Sequence, residues 1–239
     1  MNFSCDDVLC GKLRIIQPIN GPRVNMDTIL LYSWVKYRSG HTRFLEAGCA
    51  SGAIALMLAE KFANIHVTGI DIQPELIELA KINAVNNSLN DRVDFIAGDL
   101  RDKTLLTQGY YDSLVINPPY ESLYRSRESS NLSRSTARLE LSCTPDDVGR
   151  LAKRVLKSRG RLFAIFTSQR LDVFMNSMIN NKLTPKRLRF VYPDVNNNSG
   201  VFLIECVKDG GEGLIILPPL IIRDEYNNYT QELMQIYKE

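Results

Sequence analysis

The chain reads as an α/β protein, a parallel sheet covered by helices on both faces. Three observations lead there. Strand and helix signals alternate through the middle of the sequence. Its 239 residues, 44% hydrophobic and 23% charged, suffice for one large domain with a sizeable core. No internal repeat and no Gly/Ser-rich linker divides it, so one domain over residues 1–239 is the expectation.

The elements follow in order. A short hairpin-like piece runs from Leu13 to Val24 around Asn20-Gly21-Pro22, then a helix begins near Asp27. Residues 43–47 form a short buried strand ending in a glycine-bearing turn, and 53–62 carry apolar positions at helical spacing: Ile54, Leu56, Met57, Leu58 and Phe62. A strand over 65–70 leads to a helix from Pro74 to about Asn87, opened by proline and the early acids Glu75 and Glu78. Strands at 93–97 and 111–116 follow. The helix over 145–158 has Thr144 as N-cap, Asp146 and Asp147 in its first turn, and Gly160 just past its end. A strand at 161–167, a helix at 170–181 and strands at 187–192 and 201–207 complete the alternation. Residues 121–138, rich in Ser and Arg, break it as a long loop of the kind that is functional or disordered.

Composition narrows the function classes. A net charge of +2 does not by itself point to nucleic acid. No charged leader precedes an apolar run, and no run approaches membrane-spanning length. Five scattered cysteines without a C-x-x-C pair fit a reducing cytoplasm and argue against a disulfide framework or a zinc site. Both histidines, His41 and His66, read as solvated or structural.

A candidate cofactor site spans successive strand ends. In Glu46-Ala47-Gly48-Cys49-Ala50-Ser51-Gly52, small residues between a strand and a helix let the backbone approach a ligand over the helix N-terminus. A glycine-rich turn alone is a weak signal. Asp71 ends the second strand, where a carboxylate accepts from ribose hydroxyls, with Ile72 beside it. Asp99, followed by Leu100, lies after the third, where a carboxylate accepts from an adenine amino group. Each acid alone also reads as a turn or cap residue. In register, they imply S-adenosylmethionine extended across the strand ends.

After the fourth strand comes Asn117-Pro118-Pro119-Tyr120. The exocyclic amine of a planar base is a poor nucleophile, because its lone pair is delocalised into the ring. Methylating it requires acceptors for both N–H groups, here the Asn117 side-chain oxygen and the Pro118 carbonyl. The two prolines hold these in place without a competing donor, and Tyr120 offers a face for a flipped base. The bland reading of the same residues is a rigid strand-to-loop turn.

With these motifs the chain resembles class I S-adenosylmethionine-dependent methyltransferases of the amino-methylating type. Arg23-Val24-Asn25-Met26-Asp27-Thr28-Ile29-Leu30-Leu31 is similar to the N-terminal cofactor segment of bacterial tRNA (valine) adenine N6-methyltransferases. So is the tail from Pro218-Pro219-Leu220-Ile221-Ile222-Arg223-Asp224-Glu225 into Asn228-Tyr229-Thr230. The resemblance covers about residues 10–237. It implies a single Rossmann-like class I domain with a mostly parallel seven-stranded sheet, helices on both faces and an antiparallel edge. Residues 1–40 would flank cofactor and substrate, and residues 41–239 would form the core. It also implies Asp27 in the cofactor site, with Asn117 serving both cofactor and catalysis, and a substrate adenine beside the anticodon of a valine tRNA. Ala50 stands where many relatives have glycine, Glu46 where many have aspartate, and Leu139-Glu140 where a His-Glu pair is common.

The expected chemistry is direct methyl transfer to adenine N6, with the protein supplying position and electrostatics rather than a strong base. Arg125, Arg127, Arg134 and Arg138 beside the catalytic turn are the better candidates for gripping tRNA phosphates. Two further basic groups, Arg150 to Arg161 and Lys182 to Arg189, read equally as solvated faces. A monomer without metal is expected. Rival readings are methylation of rRNA guanine N2 or of a protein glutamine, and a non-catalytic RNA-binding protein. About 40 residues before Glu46 leave little room for the helical domain of the glutamine enzymes.

Overall fold

The computed structural model describes residues 2–118 and 143–238. It opens with an antiparallel hairpin, β1 (Phe3–Val8) against β2 (Leu13–Pro18). The hairpin therefore begins upstream of the 13–24 span read from sequence, which supplies only its second strand. Its turn is made by Leu9 and Cys10 at φ 50° and 54° with Gly11, and the first two carry no turn signal of their own.

The chain continues through α1 (Met26–Trp34), β3 (Arg43–Ala47), α2 (Ala53–Lys61), β4 (His66–Asp71), α3 (Pro74–Asn86), β5 (Val93–Ala97) and β6 (Tyr111–Ile116). After the undescribed residues come α4 (Pro145–Val155), β7 (Leu156–Thr167), α5 (Leu171–Asn180), β8 (Leu183–Tyr192) and β9 (Val201–Lys208). Two-residue strands β10 (Ile215–Ile216) and β11 (Leu220–Ile221) and the short helix α6 (Gln231–Ile236) follow.

The main sheet runs β10-β8-β9-β7-β6-β3-β4-β5, with β11 also on β8, making nine strands. Strands β3 to β7 are mutually parallel where they pair, and β9 is antiparallel to both β7 and β8. The expected mostly parallel sheet with an antiparallel edge is present. The seven expected strands are joined by β10 and β11, too short to show a period in the sequence.

Alternation along β7 divides the core. Phe163 and Ile165 join α1, α2 and the hairpin on one face, while Leu162, Ala164 and Phe166 join α4 and α5 on the other. Full burial of side chains of this size contributes about 1.5–3 kcal/mol each.

Thr144 caps α4 as its sequence suggests, in a reciprocal capping box with Asp147. The helix, however, stops at Val155 rather than 158. The carbonyls of Arg154 and Val155 accept from Gly109 and Tyr110, which draws Leu156 into β7. Gly160 is consequently not a helix terminator. It lies within β7, where a Cβ would meet the Lys157 carbonyl oxygen at 2.8 Å.

Two asparagines one turn apart, Asn83 on α3 and Asn87 just past its end, anchor the hairpin. Asn83 Oδ1 accepts from the Ile16 amide and its Nδ2 donates to the Ile16 carbonyl, both at 2.8 Å. Asn87 treats Arg14 in the same way at 2.9 and 2.8 Å. Asn83 Nδ2 also donates to the Ser51 carbonyl at 3.0 Å, so one buried side chain couples hairpin, α3 and the glycine-bearing loop.

Candidate active site

The C-terminal ends of β3, β4, β5 and β6 open into a cleft of about 770 Å³, a size suited to a small-molecule ligand. Its floor is the loop after β3. Gly48, Ala50 and Gly52 adopt φ of 73°, 47° and 81°, every second residue being left-handed. The amides of Gly48 and Cys49 donate to the Ile70 carbonyl at 2.8 and 3.1 Å, while that of Ala50 donates to Asp71 Oδ2 at 2.9 Å. Asp71 thus fastens the loop to the end of β4, and its Oδ1 accepts from the Gln73 amide at 3.0 Å.

Glu46 is buried beneath this loop and accepts from the Ala55 amide at 2.7 Å, satisfying one of the free donors in the first turn of α2. Burial pushes its carboxyl well above the ordinary range and nearby Asp71 adds to this, against the opposing Ala55 hydrogen bond.

Asp99 follows β5 and is held by Arg101. Burial opposes, and the hydrogen bonds from Arg101 outweigh it, so the Asp99 carboxyl lies below its usual value. The wall beside it is braced from α4, where Arg154 Nη2 donates to the Leu100 carbonyl at 3.0 Å.

Asn117 and Pro118 reach the cleft from the end of β6, the first half-buried and the second buried. Asp27 lines it from the first turn of α1, where Asn25 caps the helix through a reciprocal pair with Thr28. The preceding segment is tied to the hairpin. Arg23 Nη2 donates to Asp6 at 2.8 Å, and the Val24 amide donates to Gln17 at 2.8 Å.

The structure therefore gathers Asp27, Glu46, Gly48, Ala50, Asp71, Ile72, Asp99, Leu100, Asn117 and Pro118 around one cleft. Gly52 is not among the lining residues. It turns the chain into α2 at its left-handed φ, and a Cβ there would also meet Phe95 Cζ at 2.6 Å, so packing constrains it as well as conformation. Pro119, Tyr120, Arg125, Arg127, Arg134, Arg138 and Leu139-Glu140 lie outside the described residues.

Arg101, Cys143 and Asp147 also line the cleft, without having been selected from sequence. Arg101 had a signal, standing two residues after an acid at a strand end. Cys143 had none; burial, with Asp147 adding, pushes its thiol up to about 12.

Several members of both secondary basic groups are engaged by other parts of the chain. Arg161 and Arg187 converge on buried Glu205, and Arg187 also covers the Trp34 ring at 4.3 Å. Lys157 pairs with Asp112, Arg150 with Asp146 at 2.6 Å, and Arg189 with Glu232 at 2.6 Å. The sequence shows no acid among Arg150 to Arg161, but folding supplies several. His41 and His66 contact Ser113 and Asp94, as structural residues do.

Among the described residues, no group of three or more His, Cys, Asp or Glu side chains could hold a metal ion. No described helix is long and apolar enough to cross a membrane.

A parallel sheet with a left-handed loop after its first core strand, and acids after the next two, defines a Rossmann-like class I methyltransferase fold. The chain belongs to the family described as "Methyltransferase domain", whose model matches residues 38–211. Its sequence is 32% identical to a tRNA1(Val) (adenine(37)-N6)-methyltransferase of Porphyromonas gingivalis, over 62% of this chain and 60% of that one. Thus the match spans about three-fifths of the length of that relative. A protein of the same name from Pseudoalteromonas atlantica is 27% identical over 87% of this chain and 85% of its own. A solved structure of a predicted O-methyltransferase from Agrobacterium tumefaciens shares the fold with a TM-score of 0.71. It is 18% identical, and the match covers 88% of this chain and 95% of that one.

Proposed function

We propose that the protein transfers a methyl group from S-adenosylmethionine to the exocyclic N6 of an adenine in tRNA, the adenine beside the anticodon of a valine tRNA. The observation carrying this reading is that Asn117-Pro118 opens into the same cleft as Asp71 and Asp99. The names of the relatives support the choice of tRNA.

The residues present fit the cofactor. Asp71 and Asp99 are acceptors at successive strand ends, suited to a ribose diol and an adenine amine, and the left-handed loop brings backbone close to a ligand. Bound there, the cofactor supplies a methyl group already activated by its sulfonium charge. The protein's work is then positional. The Asn117 side-chain oxygen and the Pro118 carbonyl accept from the two N–H groups of the target amine. This favours a localised lone pair and a single approach direction. Burial of Pro118 holds that carbonyl in place without a competing donor. The proton lost by the methylated nitrogen passes to these acceptors or to water. In this reading Tyr120 stacks on the flipped base, and Arg125, Arg127, Arg134 and Arg138 grip phosphates around that nucleotide.

The test is incubation with tritiated S-adenosylmethionine and, separately, tRNA, rRNA, DNA and protein extract, followed by nucleoside analysis. N6-methyladenosine in tRNA is the expected product. Asn117→Ala should abolish it while cofactor affinity persists. N2-methylguanosine in rRNA, or label in protein, would replace the reading with one of the rivals.

A further inference from the structure

The C-terminal tail is tied to the end of the sheet that carries the cleft. β11 pairs in parallel with β8, and the Ile222 and Arg223 amides donate to the carbonyls of Tyr192 and Pro193 at 2.9 and 3.0 Å. β8 is antiparallel to β9, which is antiparallel to β7, so β8 points the same way as β6. Its final residues therefore share a sheet edge with Asn117. Two strands intervene, a separation of about 14 Å at ~4.8 Å per strand.

Beyond β11 the chain makes a tightly bonded turn. Asp224 Oδ1 accepts from the amides of Tyr226 and Asn228, both at 2.9 Å. The Asp224 amide donates to the Asn228 carbonyl at 2.9 Å, and Arg223 Nη1 donates to the Asn227 carbonyl at 2.7 Å. Arg223 and Tyr229 face each other across this turn, the guanidinium 4.4 Å from the ring centre. Such a turn has little freedom left to lose on binding. Yet its tip stands in solvent, for Tyr226 is 76% exposed, with Tyr229 behind it at 47%. The short helix α6 packs against α1, whose first turn carries Asp27 of the cleft.

We propose that Tyr226, with the Arg223–Tyr229 pair behind it, is a stacking platform for an unpaired base of the RNA substrate, separate from the base that is methylated. This rests on the reading of the protein as an RNA methyltransferase. An exposed ring on a tightly bonded turn, at the sheet end that carries the cleft, has no packing role that accounts for it, and every nucleobase offers a complementary face. The charges select a base over a phosphate. Arg223 is already engaged with Tyr229 and the turn, and Glu225 adjoins Tyr226, so the tip carries no surplus positive charge. β11 lies outside β8, so about 19 Å separates it from β6 at ~4.8 Å per strand, a span of roughly five to six stacked nucleotides at ~3.4 Å each and within reach of residues flanking a flipped base.

The experiment is fluorescence anisotropy of labelled tRNA and of a single-stranded anticodon-loop RNA with the full-length protein, at low and high salt. It is paired with affinity for S-adenosylhomocysteine and with the methylation assay. Tyr226→Ala should weaken RNA binding by roughly 5-fold or more, the loss of one base–aromatic stack. The ratio should be equal at both salt concentrations, S-adenosylhomocysteine affinity should be unaltered, and Tyr226→Phe should restore RNA binding. RNA affinity unchanged within twofold would overturn the proposal. So would failure of phenylalanine to restore it, or a deficit that vanishes at high salt. If the wild type methylates tRNA and Tyr226→Ala binds normally, only the platform falls. If the wild type binds S-adenosylhomocysteine but no RNA, both readings fall.

Discussion

The guanidinium of Arg101 closes over the carboxylate of Asp99. Nη2 lies 2.6 Å from Oδ2, Nε is 2.9 Å from each oxygen, and the Arg101 amide donates to Oδ1 at 2.8 Å. Three N–H groups thus serve the carboxylate, the single Nε–H being shared between its two oxygens. An adenine amino group taking the role proposed for Asp99 competes with these bonds.

Arg101→Ala should therefore tighten binding of S-adenosylhomocysteine. An ion pair this exposed contributes about 1 kcal/mol or less, so the gain should be within roughly fivefold. Isothermal titration calorimetry reads it. Weaker binding would instead assign Arg101 a direct contact with the ligand.

Ala50 sits at φ 47°, where an L-residue is strained and glycine is not. Its amide bond to Asp71 holds it there. Ala50→Gly should stabilise the protein by about 1 kcal/mol, a rise in Tm of about 2–4 °C for a chain of this size. Thermal unfolding without ligand measures this. A fall in Tm would mean that the methyl group packs in a way that offsets the strain.

Features set by local chemistry were legible in the sequence. The Thr144–Asp147 box, the glycine-bearing loop and the acids after β4 and β5 each announce themselves within a few residues. Features decided by distant partners were not. The end of α4 depends on Gly109 and Tyr110 capturing its last carbonyls, and the true hairpin depends on Leu9 and Cys10 accepting left-handed conformations. Gly52 belongs to the same motif as Gly48, but only the packing of Phe95 from β5 shows that their constraints differ. Arg161, Arg187 and Glu205 come together only when β7, β8 and β9 align, so two of them looked like free surface charge.

Glu46 makes stability depend on pH. Its folded pKa is raised, chiefly by burial, so between the unfolded value and the raised folded value the native state keeps a proton that the unfolded chain has lost. Unfolding free energy from this group therefore falls as pH rises through that window. Glu46→Gln keeps an oxygen to accept from Ala55 and removes the titration. Its stability relative to wild type should grow as pH is raised from acidic to alkaline, as urea unfolding at several pH values will measure. A difference independent of pH would show that Glu46 stays ionised in the fold.

The Arg161–Glu205–Arg187 group should be the most sensitive point far from the cleft. Glu205 is almost fully buried, its carboxylate serves both guanidinium groups, and Arg187 is sandwiched between it and the Trp34 ring. Burial presses both arginine pKa values downward, so each cation depends on the one anion. Glu205→Ala leaves two poorly solvated positive charges facing each other across the β8–β9 and β7–β9 pairs. Removing one partner of a buried ion pair costs about 3–5 kcal/mol, whereas replacing the whole group by apolar residues is often neutral. Glu205→Ala should accordingly lower the urea midpoint sharply. The triple replacement Arg161→Met, Glu205→Leu, Arg187→Met should recover most of that loss. If the single variant unfolds at the wild-type midpoint, the two guanidinium groups reach water in solution and the buried triad is not an energetic unit.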